Sequence, residues 1–286
     1  MLRPIISKTT TTTLRTVSNQ RRHFIISTLA SLATFTQSNF FQDMRKVDKF
    51  EELDELTNVT TTGKAEDVSE SKYFPDGRIK LNTAEQAILF TFSGINAFLH
   101  PEVGANVNTF GEVSAFTAIL ANMRDNMLLS ESGRQILRER PLMNSTTLDP
   151  QYLCKLPENT LGYQYLKFTQ DGDERAPVKF IQDEELAYVF LRYRQIHDIA
   201  HILTDKKIDL AGELPVKAFE FGNTGLPMTG LACFAYFKLS SKRKSNVHML
   251  DSLIAGLNAT PLYTVYWEKM MERDVDELRK ELNIRL

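Results

Sequence analysis

Cysteine is scarce in this chain. Its 286 residues include only two, Cys154 and Cys233, which lie far apart and form no CxxC pair. Two isolated cysteines exclude a zinc ribbon, a thioredoxin-like redox motif and a disulfide framework. We therefore expect both to be reduced thiols that fill the core.

Long apolar runs are also missing. A helix needs about 18–20 apolar residues to cross a bilayer. The longest run, residues 87–99, is interrupted by Thr91, Ser93, Gly94 and Asn96. The sequence thus favours a protein that is soluble or attached to a membrane surface over one that is integral to the membrane.

Acidic residues are absent from the first 40 positions, which carry five basic residues and many hydroxyl groups. This composition is typical of a mitochondrial transit peptide, although a disordered basic tail is the alternative. We predict a transit peptide over residues 1–30. The remaining residues carry 29 basic and 36 acidic side chains, and this negative balance argues against a nucleic-acid partner.

The sequence after the basic segment divides into two parts. Residues 31–72 are acidic, hydroxyl-rich and poor in apolar residues, so we predict a flexible linker. Residues 73–286 have the composition of one globular domain, show no alternating strand pair and no repeat, and are predicted to be all-α. The predicted helices are Ala87–Leu99, Thr109–Asn126, Glu131–Arg138, Thr160–Gln170, Asp183–Thr204, Glu213–Phe221, Met228–Leu239, Met249–Leu257 and Tyr263–Asn283.

Two histidines share the apolar face of one predicted helix. Residues 186, 190, 193, 197 and 201 recur at helical spacing, which places His197 and His201 one turn apart beside large apolar side chains. Two imidazoles with Glu213 nearby in sequence have the ligand types of a divalent-metal site. Hydrogen-bonded core histidines, and a Glu213 favoured by a helix dipole, are the alternatives. Asp198 replaces the Glu of the HExxH pattern, which makes a peptidase less favoured.

The motif His197-Asp198-x-x-His201-x11-Glu213 resembles the HDxxHx11E signature of the fourth coenzyme Q (ubiquinone) biosynthesis, or COQ, protein family. Further segments resemble that family along the predicted domain, from Tyr73 to Leu286. They are Tyr73-Phe74-Pro75, GRQILRERP at 133–141, LPENTLG at 156–162, Trp267-Glu268 and LRKEL at 278–282.

The resemblance implies a metal centre. The expected ligands are His197, His201 and Glu213, with Asp198 either as a fourth ligand or as a residue that orients a ligand. Pro215 fits only the first turn of a helix, so we predict a helix start near Gly212–Leu214 that returns Glu213 to the histidine face. Zn²⁺ is the expected metal, although iron, manganese and cobalt suit the same ligand types.

The resemblance also implies an activity and a substrate. The family is assigned C1 decarboxylation of 4-hydroxy-3-methoxy-5-polyprenylbenzoate to 2-methoxy-6-polyprenylphenol, with Asp198 as the candidate catalytic proton donor. A polyprenyl substrate implies an apolar tunnel, although apolar side chains at helical spacing more often form a plain core. The apolar residues available for one are Ile88, Leu89, Phe92, Phe98, Phe116, Ile119, Leu120, Phe234 and Tyr236.

The family further implies partners and a location. We expect a multi-subunit complex with other ubiquinone-biosynthesis enzymes, and peripheral attachment to the matrix side of the mitochondrial inner membrane. A homo-oligomer is possible. Lys238, Lys242, Arg243 and Lys244 are candidate lipid contacts, or simply a solvated loop. The alternative functions are a non-catalytic lipid-binding scaffold of the complex and, more remotely, a zinc hydrolase.

Overall fold

The computed structural model describes residues 72–101, 103–169, 175–245 and 247–286. The predicted transit peptide and all but the last residue of the predicted linker lie outside the described residues. Within the described ranges the chain contains no strand, only the isolated bridges Tyr73–Ile79 and Thr160–Asp274. The prediction of an all-α domain is confirmed, and none of the described helices is long and apolar enough to cross a bilayer.

Thirteen α-helices and three 3₁₀ helices make up the described part. The α-helices are α1 Thr83–Leu99, α2 Gly104–Ser114, α3 Thr117–Leu128, α4 Glu131–Glu139, α5 Pro150–Leu153, α6 Leu161–Phe168, α7 Glu184–Gln195, α8 His197–Thr204, α9 Leu210–Thr224, α10 Pro227–Ala232, α11 Ser241–Lys244, α12 Met249–Asn258 and α13 Val275–Glu281. The 3₁₀ helices span Cys233–Lys238, Leu262–Thr264 and Trp267–Lys269.

The helix predicted over 183–204 is two helices that meet at Ile196. Asp183 caps the first by accepting from the Leu186 amide at 2.9 Å. Ile196 has φ −90° and ψ 1°, outside the α-helical values, and ends that helix. The Ala200 amide still donates to the Ile196 carbonyl at 3.0 Å, so α8 follows directly and the apolar face continues across the junction.

Other predictions also needed correction. The helix predicted over 228–239 is α-helical only as far as Ala232 and continues as a 3₁₀ helix over Cys233–Lys238. The helix predicted over 109–126 is interrupted between α2 and α3 at Ala115 and Phe116. The helix predicted over 263–283 is wrong, because that stretch forms two short 3₁₀ helices before α13. Cys154 is exposed and Cys233 half-buried, so the expectation of a core role fails for Cys154.

The core lies where α3, α7, α8 and α9 meet. Its buried side chains include Leu120, Met123, Phe190, Ile199, Leu203, Val216 and Phe219. The Arg192 guanidinium is fully buried and donates to both Glu268 carboxylate oxygens, at 2.5 and 3.0 Å. This core fixes the relative positions of α7, α8 and α9, the helices that carry the candidate site.

Candidate metal centre

His197 and His201 occupy the first two turns of α8. Their ring centroids lie 4.8 Å apart, with the planes inclined by 81°. The His201 side chain is only 1% exposed and that of His197 is 19% exposed, and both line a cavity. The helical spacing predicted from the sequence therefore places both rings on the inward face.

Glu213 comes to the two rings from α9. Asp209 caps α9 by accepting from the Gly212 amide, and the helix begins at Leu210, earlier than predicted. Pro215 therefore lies beyond the first turn, inside the helix. Glu213 Oε2 lies 2.9 Å from His201 Nε2, and its Oε1 lies 3.4 Å from His197 Nε2.

The second nitrogen of each imidazole already has an acceptor. His201 Nδ1 donates to the Lys206 carbonyl at 3.1 Å. His197 Nδ1 donates to Glu220 Oε1 at 2.7 Å. Both Nδ1 atoms hold a proton, so both Nε2 atoms are available toward Glu213, an orientation common in metal-ligating histidines. One ligand atom each from His197, His201 and Glu213 lies within 4.8 Å of the others.

The Glu220 acceptor belongs to a buried polar network that sequence reasoning missed. Glu220 is 4% exposed, and its Oε2 accepts from Lys217 Nζ at 2.9 Å and from the Tyr193 hydroxyl at 3.0 Å. Burial works to raise the pKa of Glu220, but Lys217 and His197 outweigh it and lower that pKa to about 2. The carboxylate therefore stays charged and holds the His197 ring.

The charged side chains of the site shift one another's pKa values. Burial and the Lys217 cation act to lower the pKa of His197, but Glu220 and Glu213 outweigh them and raise it to about 9. Burial acts to raise the pKa of Glu213, whereas Lys217 and the two histidines hold it far below its usual range. Two ionised carboxylates beside two imidazoles suit a divalent cation.

Asp198 takes a different position. Its Oδ2 accepts from Arg175 Nη2 at 2.6 Å, and both side chains are largely buried. Asp198 is not one of the three residues whose ligand atoms converge. Its predicted role as a metal ligand therefore stays a prediction. The structure adds Arg175 as a functional candidate that the sequence did not reveal.

A cavity of about 750 Å³ opens over these side chains. Its polar wall includes Arg175, Asp198, His197, His201 and Glu213, and its apolar wall includes Met143, Leu148, Leu153, Leu166, Phe168 and Ile208. The Phe168 ring lies 5.1 Å from the His201 ring. None of the residues considered for an apolar tunnel lines this cavity; Ile119 and Leu120 are core residues, and Ile88, Phe98, Phe116 and Phe234 are exposed.

The family profile described as "Coenzyme Q (ubiquinone) biosynthesis protein Coq4" matches residues 75–286. The chain belongs to this Coq4 family. The family predicted from the sequence is therefore confirmed, and the match spans the described helical domain. The three converging side chains all lie within the matched residues.

Curated relatives of the Coq4 family match most of the chain. "Ubiquinone biosynthesis protein COQ4, mitochondrial" from Meyerozyma guilliermondii is 38% identical over 267 residues, which cover 90% of this chain and 85% of the relative. The protein of the same name from Debaryomyces hansenii is 38% identical over 284 residues, covering 94% and 87%.

A solved structure shares the fold. The crystal structure of a putative ubiquinone biosynthesis protein from Nostoc punctiforme aligns with a TM-score of 0.58 at 17% identity. The alignment covers 72% of this chain and 100% of that one. At this identity the likeness shows the fold alone.

Proposed function

We propose that the protein is a metal-dependent carboxy-lyase of ubiquinone biosynthesis, which removes the C1 carboxyl group of 4-hydroxy-3-methoxy-5-polyprenylbenzoate. The observation that supports this most is the pair of imidazoles whose Nδ1 atoms are both engaged as donors, while both Nε2 atoms face Glu213 beside a cavity. Membership of the Coq4 family supports the pathway.

His197, His201 and Glu213 would hold the cation. Two imidazoles and a carboxylate form a donor set that zinc often takes, and we propose Zn²⁺, with another divalent metal as the alternative. A bound divalent cation would supply Lewis-acid stabilisation of a substrate oxygen and orient the aromatic ring. Lys217 and Glu220 keep the His197 ring in place behind this site.

Arg175 and Asp198 supply the remaining functions on the cavity wall. The guanidinium has N–H donors beyond the one given to Asp198, and these can receive the substrate carboxylate. The 4-hydroxyl lies para to C1, so electron density from the phenolate favours protonation at C1. In its protonated form Asp198 would deliver that proton, become the carboxylate that pairs with Arg175, and regain a proton from water in the open cavity after the reaction. The bond from C1 to the carboxylate then breaks and CO₂ leaves. The electron pair of that bond restores the aromatic ring.

A second candidate is a non-catalytic lipid-binding scaffold for the other enzymes of the pathway. Large apolar side chains such as Leu250 and Ile254 are exposed on α12, which suits a protein that docks on other components. Both curated relatives are named mitochondrial, so we propose a location on the matrix side of the inner membrane. Complex formation and a homo-oligomer remain predictions.

The decisive experiment measures bound metal and CO₂ together. The purified protein, the variant His201→Ala and the control His248→Ala, a histidine with a largely exposed side chain, are incubated with carboxyl-labelled substrate. We expect His201→Ala to lose metal and CO₂ release, and His248→Ala to keep both. Full activity in metal-free protein would overturn the metal dependence, and no CO₂ release from the metal-loaded unaltered protein would overturn the lyase proposal. If the inactive His201→Ala variant still assembles with the other enzymes of the pathway, catalysis and scaffolding are separate functions.

A further inference from the structure

Helix α1 presents an apolar face to the outside. Ten of the 17 residues of α1 are Ala, Ile, Leu or Phe, yet its one buried residue is Ser93. Ile88, Ile95 and Leu99 are 51%, 52% and 58% exposed and share one helix face. A helix in a globular protein normally turns such a face to the core. This face of α1 has no cover from the described part of the chain.

The 3₁₀ helix Cys233–Lys238 extends the same surface. None of its residues is buried, and Phe234 and Phe237 are 58% and 72% exposed. Lys238 connects it to α1, because its ammonium lies 4.2 Å from the centroid of the Phe98 ring and donates to the Phe98 carbonyl. Two exposed apolar elements therefore adjoin at the C-terminal end of α1.

Cations border this apolar surface. Residues 227–250 contain Lys238, Lys242, Arg243 and Lys244 and no acidic residue, although the chain is acidic outside its first 40 positions. Lys244 Nζ lies 5.3 Å from the Tyr236 ring centroid and 6.0 Å from that of Phe237. None of the four cations forms an ion pair with another described residue. Ammonium groups held over exposed aromatic rings are typical of a surface with one apolar and one wet side.

We propose that this surface docks on an anionic phospholipid bilayer. The docking face consists of Ile88, Ile95, Phe98, Leu99, Phe234 and Phe237. Lys238 and Lys244 border it, and Lys242 and Arg243 lie on the same short helix as Lys244. Its apolar side chains would enter the acyl boundary, while the cations would meet lipid phosphates. A lipid surface fits better than a protein partner, because the face combines positive charge with aliphatic and aromatic side chains. It also offers no carboxylate, since residues 227–250 contain none and α1 has none beyond its first turn.

The docking face lies outside the candidate metal centre, so it does not depend on the proposed reaction. The 3₁₀ helix that carries Phe234 and Phe237 packs against α9, the helix that carries Glu213. A bilayer bound at this face would contact an element that packs directly against the helix carrying Glu213. The docking face therefore determines which side of the domain meets the membrane. A polyprenyl substrate would come from that membrane.

Tryptophan fluorescence gives a local test. The chain has one tryptophan, Trp267, which is fully buried. Phe237→Trp adds an indole on the docking face. Leu129→Trp is the matched control, because Leu129 is 66% exposed and lies one residue past the far end of α3. Both full-length variants are mixed with vesicles of phosphatidylcholine and cardiolipin that carry brominated acyl chains.

We expect bromine to quench the fluorescence of the Phe237→Trp protein and to leave the Leu129→Trp protein at the level of the unaltered chain. Replacing Lys238, Lys242 and Lys244 by Ser should lower vesicle affinity by about 100-fold, since each basic residue near an anionic surface changes binding roughly fivefold. Equal quenching of both tryptophan variants, or none, would overturn the proposal.

A second copy of the chain is the other candidate occupant of the face. If the protein is a dimer, and Phe237→Ser abolishes the dimer but leaves vesicle binding unchanged, the proposal is overturned. CO₂ release from a short-chain substrate should be unaffected in all these variants.

Discussion

At the scale of single residues, the site depends on what lies behind its histidines. His197 points its Nε2 at Glu213 because Glu220 accepts from the opposite nitrogen, and Glu220 is itself held by Lys217 and Tyr193. A buried carboxylate with this many donors fixes both the tautomer and the ring orientation. The centre is therefore larger than its three predicted ligands.

Glu220→Gln tests this supporting role. The amide keeps the size of the side chain and one acceptor, but it removes the charge that faces His197 and Lys217. We expect metal affinity to fall by about 10–100-fold, as for other residues that orient a metal ligand. Isothermal titration with Zn²⁺ measures the affinity. Glu281→Gln, at an exposed ion pair with Arg273, is the control and should bind metal normally. Unchanged affinity in Glu220→Gln would show that Glu220 serves only the fold.

Asp198→Asn separates the two roles predicted for Asp198. If the carboxylate delivers a proton, the variant keeps its metal and loses about 10²–10⁴-fold in the rate of CO₂ release. If the carboxylate is a ligand, bound metal falls as well. We expect the first result, because Asp198 is paired with Arg175 and lies apart from the three converging side chains. Metal content and single-turnover CO₂ release on the same preparation decide between them.

The sequence predicted His197, His201 and Glu213 but not the network behind them. The two histidines are visible because their spacing continues the apolar face of a helix. Glu213, Lys217 and Glu220 also follow helical spacing, yet charges at such intervals usually lie in water on a helix surface. Their burial arises from the packing of α9 against α7 and α8, a tertiary property that local pattern does not contain.

At the scale of helices, the errors have identifiable causes. The predicted helix over 263–283 has suitable spacing, but two buried donors take carbonyl groups that a regular helix would use. Trp267 Nε1 donates to the Leu262 carbonyl at 2.8 Å, and Arg192 donates to the Val265 carbonyl at 3.0 Å. The junction at Ile196 has no proline or glycine to mark it, so no sequence signal could place it.

Gly256→Ala tests how tightly α9 is held. A Cβ atom at Gly256 on α12 would lie 2.0 Å from the Phe219 carbonyl oxygen on α9, a contact that cannot be relieved by a side-chain rotation. We expect the free energy of unfolding to fall by about 3 kcal/mol, the upper part of the range for overpacking. Urea denaturation measures it. Gly104→Ala is the control, because nothing lies within 4 Å of its Cβ position, and that variant should be at least as stable as the unaltered protein.

At the scale of the whole molecule, the proposed cation would join two helices that are separate in sequence. His197 and His201 lie on α8 and Glu213 lies on α9. A ligand that binds the folded state alone stabilises it by about 2.7 kcal/mol at 100 times its Kd. For a domain of this size that corresponds to a rise in Tm of roughly 5–10 °C. The proposed metal would thus link the stability of the fold to the occupancy of the site.

The pH dependence of this stabilisation follows from His197. Its pKa is raised to about 9 from 6.5, so without metal His197 contributes stability that is complete below pH 6.5 and lost as the pH rises through 9. Bound metal must displace that proton, so metal affinity should rise about tenfold for each pH unit up to about 9. We therefore expect the Zn²⁺-dependent rise in Tm, measured by differential scanning fluorimetry at fixed Zn²⁺, to be larger at pH 8 than at pH 6. His248→Ala should show the same rise and His201→Ala none. An equal rise at both pH values, or any rise in His201→Ala matching that of the unaltered protein, would contradict a metal held by His197, His201 and Glu213.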